Sequence, residues 1–195
     1  MYKQRILEAA NKNNDIITAA QSKQLGVPSI YLTRMIEENL LFRVARGVYS
    51  LVPFEADHWY ILQSQNPICV FSYTTALSLQ GATDIIPEHP EVTVYAGYNA
   101  SHFPQGTILH YVHKDILSLG EITAKTQYGN EVRCYDMERI ICDFIANRTK
   151  IDSELFSKTL QAYASNSRSN LHKLMSYAKR MNINEKVKAI FEVLL

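Results

Sequence analysis

The stretch TAAQSKQLGVPSIYLTRMIEENLLFRVARGVYSL, running from Thr18 to Leu51, decides how the chain folds. Thr18 can offer its hydroxyl to an orphan amide and so cap a short helix from Ala19 to Leu25. Gly26 ends that helix, because a residue without a Cβ enters the left-handed conformation at little cost. After Val27-Pro28, Ser29 can cap a further helix reaching Asn39, with Leu32, Met35, Ile36 and Leu40 on one face. Phe42–Ala45 and Val48–Val52 are β-prone runs joined by Arg46-Gly47, the signature of a hairpin. Upstream, Ile6, Leu7, Ala9 and Ala10 recur at helical spacing from about Lys3 to Lys12, before Asn and Lys break the pattern.

A positioning helix, a tight turn, a second helix and a hairpin make a winged helix-turn-helix, whose second helix enters a major groove. With Leu32, Met35 and Ile36 turned inward, Ile30 and Arg34 stand nearly opposite the core, flanked by Tyr31 and Thr33. Arg34 suits guanine edges or phosphate, Thr33 a phosphate or base, and Ile30 and Tyr31 thymine methyls. Glu37 and Glu38 repel phosphate, which confines contact to the first two turns. Arg43 and Arg46 sit on the wing, where they can follow the backbone or enter the minor groove. The competing reading of the same elements is a winged helix that docks on protein.

Composition supports a folded domain. Of 195 residues 47% are apolar, with seven Gly and six Pro, which excludes collagen and low-complexity tracts. Cys69, Cys134 and Cys142 form no C-x-x-C pair, as expected of reduced thiols in the cytoplasm. The opening MYKQRILEAANKNN is charged and amphipathic, unlike a signal peptide, and no window reaches the roughly 18 apolar residues of a membrane span. The net charge of +1 hides a partition: residues 1–52 carry +3, 53–150 carry −5 and 151–195 carry +3. The thirty residues between Glu154 and Glu185 hold no acid but include Lys158, Arg168, Lys173, Lys179 and Arg180. A helix over 168–182 puts Leu171, Leu174, Tyr177, Ala178 and Met181 on one arc and a continuous basic face on the other. That face is either a second phosphate-binding surface or an ordinary solvated one.

Pro53 and Phe54 mark a boundary between a winged domain, residues 1–53, and a larger mixed domain, residues 54–195. In the latter, residues 55–64, 72–81, 137–147, 153–165, 168–182 and 185–194 read as helices, and 91–96, 108–112 and 131–135 as strands. The fold class is therefore α+β. Asp136 is placed to cap the helix after Tyr135, and Arg139 and Asp143 are spaced for an intrahelical ion pair. Tyr73, Thr74 and Thr75 suit a helix start. His110 and His113 point to opposite faces of a strand, so no metal site is expected, and no cofactor loop or nucleophile motif is present. A triad assembled in space stays open, but the expectation is a protein that is not an enzyme.

The segments Asp15–Pro28, Leu32–Ile36 and Leu40–Leu51 resemble the N-terminal winged helix of AbiEi-type antitoxins, of abortive-infection toxin–antitoxin systems. Tyr73–Asp84 and Tyr135–Ile145 are similar to that family's second domain. The resemblance implies an autorepressor that binds inverted repeats in its own promoter, with cooperative binding of two copies on DNA as one arrangement open to it. It also implies a phage-defence role against a nucleotidyltransferase-like toxin, opposed through the second domain without a stable complex, as in a type IV system. By position it implies DNA contacts from Ser29, Tyr31, Thr33, Arg34, Arg43 and Arg46. Asn39 stands where related sequences often carry Gly, and Asn tolerates the same left-handed conformation. The alternative from the residues themselves is an inhibitor or scaffold docking directly onto a toxin.

Overall fold

A computed structural model describes residues 1–53 and 57–194. The winged part is built by local chemistry. Helix α1 (Tyr2–Lys12) leads into strand β1 (Ile16–Thr18), and α2 (Ala19–Gln24) starts directly from it. Thr18 Oγ1 accepts the Gln21 N–H at 3.1 Å while Gln21 Oε1 accepts the Thr18 N–H at 2.7 Å. This reciprocal box satisfies two orphan donors and is worth about 1 kcal/mol. Gly26 (φ +69°) closes α2, its N–H donating to Lys23 and that of Val27 to Ser22.

Helix α3 (Ile30–Glu37) ends in the same way at Asn39 (φ +56°), with Asn39 N–H on the Ile36 carbonyl and Leu40 N–H on that of Met35. The left-handed turn breaks helical phase, which corrects one expected core position. Leu40 is exposed and Leu41 is buried in its place, beside Leu32 and Met35. Strands β2 (Phe42–Ala45) and β3 (Val48–Ser50) complete a sheet in the order β1-β3-β2, antiparallel throughout. Gly47 (φ +73°) makes the hairpin turn, and its carbonyl accepts the Ala19 N–H at 2.8 Å. Ile6, Ala10, Ile17, Val27, Leu32, Met35 and Leu41 form one core cluster.

Beside the expected division into residues 1–53 and 54–195, the first compact unit takes in Met1–Ile68 together with Lys125–Val132. The expected boundary at Pro53-Phe54 and the start of the helix expected at 55–64 fall partly on residues 54–56, outside the described residues. Helix α4 (His58–Gln65) belongs to this unit because Ile61 joins Ile16 and Val48 in a second cluster. Residues 125–132 belong to it because buried Asp57 holds them. Its carboxylate caps α4 through the Tyr60 N–H and also accepts the Thr126 hydroxyl and the Asn130 amide. Replacing Asp57 by Ala should cost about 2 kcal/mol by losing the cap and stranding buried donors, read as faster amide exchange at residues 126–130.

The second unit, Cys69–Ala124 with Arg133–Leu195, is helix packed on sheet. In chain order it holds β4 (Val70–Phe71), α5 (Tyr73–Leu79), β5 (Glu91–Tyr95), β6 (Ile108–Val112), most of β7 (Glu121–Lys125) and of β8 (Glu131–Tyr135), then α6 (Met137–Ala146), α7 (Ser153–Ser165), α8 (Leu171–Arg180) and α9 (Asn184–Leu194). The sheet order is β6-β5-β4-β8-β7, with β4 antiparallel to β5 and parallel to β8. Helix α6 packs against α5, α7, α8 and α9, burying Ile140, Ile141, Phe144 and Ile145. The architecture is α+β. Cys69, Cys134 and Cys142 are buried, and burial pushes each thiol pKa up to about 12. Among the described residues no helix is long and apolar enough to cross a membrane.

Candidate nucleic-acid interface

On α3 the apolar face turns inward through Leu32 and Met35, which leaves Ile30, Thr33 and Arg34 exposed on the outer side. Tyr31 departs from the expected outward position. It is half-buried against the core cluster, with its ring 4.8 Å from that of Tyr2, and the Arg34 guanidinium lies 5.4 Å from its centre. Ser29 occupies the N-cap but makes no capping bond, because its backbone is already helical (φ −57°, ψ −26°) and capping requires an extended residue. Its side chain is instead exposed at the leading end of α3.

The wing carries Arg43 and Arg46, both exposed. The Arg46 backbone carbonyl accepts the Gln65 amide at 3.1 Å. Among the described residues none of Arg34, Arg43 and Arg46 lies within salt-bridge distance of a carboxylate. Glu38 does have a cation: Lys3 reaches it from α1 at 2.6 Å. Among the described residues the outer face thus carries three guanidiniums without an acid partner, and one of its two nearby acids is neutralised.

Residues 4–52 match the family described as transcriptional regulator, AbiEi antitoxin. The AbiEi match thus spans α1 through the wing, the same elements that hold Ser29, Tyr31, Thr33, Arg34, Arg43 and Arg46. No curated protein matches the chain. Among solved structures, the crystal structure of the RV2827C protein from Mycobacterium tuberculosis is similar, with a TM-score of 0.58 over 91% of this chain and 71% of that one. At 9% identity this likeness shows the fold alone.

The C-terminal basic residues are not one surface. Lys173 turns inward: its ammonium lies 2.9 Å from Asp136 and 3.1 Å from Glu138. Burial pulls its pKa down, but the hydrogen bonds it donates to the two carboxylates outweigh this and hold it above the usual lysine range. The physical reason is that Asp136 caps α6 and Glu138 follows in its first turn, so two half-dehydrated carboxylates need a counter-ion. Lys158 pairs with Glu154 at 2.6 Å, and Arg180 donates to the Asp115 carbonyl at 3.1 Å. Lys179 and Arg168 remain exposed, the latter at a cleft of about 520 Å³ whose wall includes Asp136 and Glu138. The expected continuous basic face is therefore interrupted. Lys173→Met should lower stability by about 1 kcal/mol, since the lysine side chain is 38% exposed, while leaving any DNA affinity and its salt slope unchanged in a titration.

His110 and His113 have partners of their own. His110 bonds Glu91 at 2.9 Å and stacks on Tyr73 at 3.7 Å, while His113 pairs with Asp115. Among the described residues no group of three or more His, Cys, Asp and Glu gathers as a metal would need. Reading the sequence for a helix-turn-helix passed over Tyr2 and Arg5 of α1. Their spacing repeats that of Tyr31 and Arg34, and Arg5 lies 5.9 Å from the centre of the Tyr2 ring.

Proposed function

We propose that the chain is a DNA-binding repressor of its own promoter and the antitoxin of a type IV toxin–antitoxin pair acting in the cytoplasm. The observation that carries the reading is the exposure of Thr33 and Arg34 on α3 with Arg43 and Arg46 on the wing, none of these arginines being paired with an acid among the described residues. The AbiEi match over the same residues supports it. In this reading α3 enters the major groove, the wing arginines take phosphates, and two copies bind inverted repeats one turn or more apart. The second unit opposes a nucleotidyltransferase-like toxin without a lasting complex, and no catalysis is assigned to it. Lys179, Arg168, Lys158 and Arg180 are outlying phosphate contacts, of which Lys158 is paired with Glu154 and Arg180 is bonded to the Asp115 carbonyl.

The test is titration of a labelled duplex from upstream of the coding sequence across a salt series. A salt-steep, repeat-dependent shift is expected; no shift at low salt overturns the reading. Direct docking on a protein toxin is the second reading, favoured by the apolar groove of about 340 Å³ beside Phe156, Leu160 and Ile190, where Val193 is 86% exposed. Co-elution of chain and toxin in gel filtration would select it.

A further inference from the structure

Two tyrosine–arginine pairs of identical spacing meet in the first unit. Tyr31 and Arg34 belong to α3, Tyr2 and Arg5 to α1. The two rings lie 4.8 Å apart at 54°, each with its own guanidinium at 5.4 Å and 5.9 Å from the ring centre. The contacts run in a row from Arg5 to Tyr2, from Tyr2 to Tyr31 and from Tyr31 to Arg34.

A guanidinium resting on an aromatic ring uses its face and keeps its edge of N–H donors for a planar or tetrahedral anion. Arg5 spends little of that edge, on one long bond from Nη1 to the Leu25 carbonyl at 3.4 Å. Among the described residues neither arginine has a carboxylate within 4.0 Å. Lys3, the residue after Tyr2, holds Glu38 and so removes one acid that would oppose an anion approaching α3. Exposed cations joined by one set of ring contacts, with no carboxylate within 4.0 Å among the described residues, suit the repeating charge of a phosphodiester strand.

Resting on the DNA-binding reading above, we propose that this row is a phosphate track. Helix α1 supplies Arg5 as a backbone-contacting cation, and Tyr2 is a positioning residue whose ring, set against Tyr31, fixes the seat of Arg34. The track carries affinity and register rather than base choice, because phosphates are the same at every step.

The full chain is titrated with a labelled promoter duplex and with an unrelated duplex of equal length, across a salt series. Arg5→Gln should flatten the log–log salt slope by about one unit and weaken both duplexes alike. Tyr2→Phe keeps the ring and should bind as the unaltered chain does. Tyr2→Ala should weaken binding about fivefold, yet add nothing when Arg34→Gln is already present. Should Tyr2→Ala fail to fold, Tyr2→Leu keeps apolar bulk without a π face and carries the same expectation. An unchanged slope in Arg5→Gln, or losses that multiply in the Tyr2→Ala, Arg34→Gln pair, overturns the track. Loss of binding in Arg34→Gln with none in Arg5→Gln overturns the track alone, whereas an unaltered chain that ignores DNA overturns the underlying reading too.

Discussion

With Arg34→Gln and Arg46→Gln combined, the full chain should bind its promoter about a hundredfold more weakly at 0.15 M salt and lose repression in a reporter strain. A bidentate arginine contact to a guanine edge contributes about 1–3 kcal/mol, and a phosphate contact adds about one unit of salt slope. The two side chains sit on separate elements, α3 and the wing, so their losses should add. The variant should stay folded. Arg46 contributes to the fold through its carbonyl, which glutamine retains, and Arg34 gives up only an exposed seat on Tyr31. The thermal midpoint should move by little while the salt slope falls by about two units. Full repression from a folded double variant would remove α3 and the wing as the recognition surface.

The winged unit was legible because its signals are local. Thr18 with Gln21, Gly26 and Asn39 each act within one turn of the backbone, so spacing alone places the caps. Length limited the rest. β1 has three residues and β4 two, too few to show an alternation, and both form because a neighbouring strand supplies the ladder. The strand at Glu121–Lys125 escaped notice for a related reason: Glu and Lys lie at its ends and only Ile122 is a strong apolar residue. Membership of residues 125–132 in the first unit could not be read at all, since it depends on Asp57, far away in the chain.

The basic C-terminal helix illustrates a limit of the helical wheel. A wheel sorts residues by angle about one axis and is blind to what the next helix presents. Lys173 lies on the polar side by angle, yet its flexible stem carries the ammonium back to two acids on α6. Arg139 shows the same limit from the other side. Its pairing with Asp143 follows from i, i+4 spacing, whereas its complete burial follows from the chain around Ile116–Leu119 closing over it.

That burial makes Arg139 the residue whose loss should most damage stability. The guanidinium is 0% exposed, with Nε 3.1 Å from both Asp143 oxygens, Nη1 donating to the Ile116 and Leu119 carbonyls at 2.6 and 2.8 Å, and the Tyr135 ring 4.2 Å away. Arg139→Met strands a buried carboxylate and two carbonyls, at an expected cost of about 4 kcal/mol in urea unfolding followed by circular dichroism. Burial already pushes the Asp143 carboxyl up, opposed mainly by Arg139, so removing the cation lets it rise further. Folding of the variant then takes up a proton between the unfolded carboxyl range and the higher folded value. Protons bound in the folded state exceed those in the unfolded state there, so stability falls as pH rises. Arg139→Met should accordingly be less damaging at pH 5 than at pH 8. Adding Asp143→Asn should erase that pH difference and recover part of the loss, because no charge is then left buried without a partner. Equal destabilisation at the two pH values would mean that Arg139 acts by packing on Tyr135 and not as the counter-ion of Asp143.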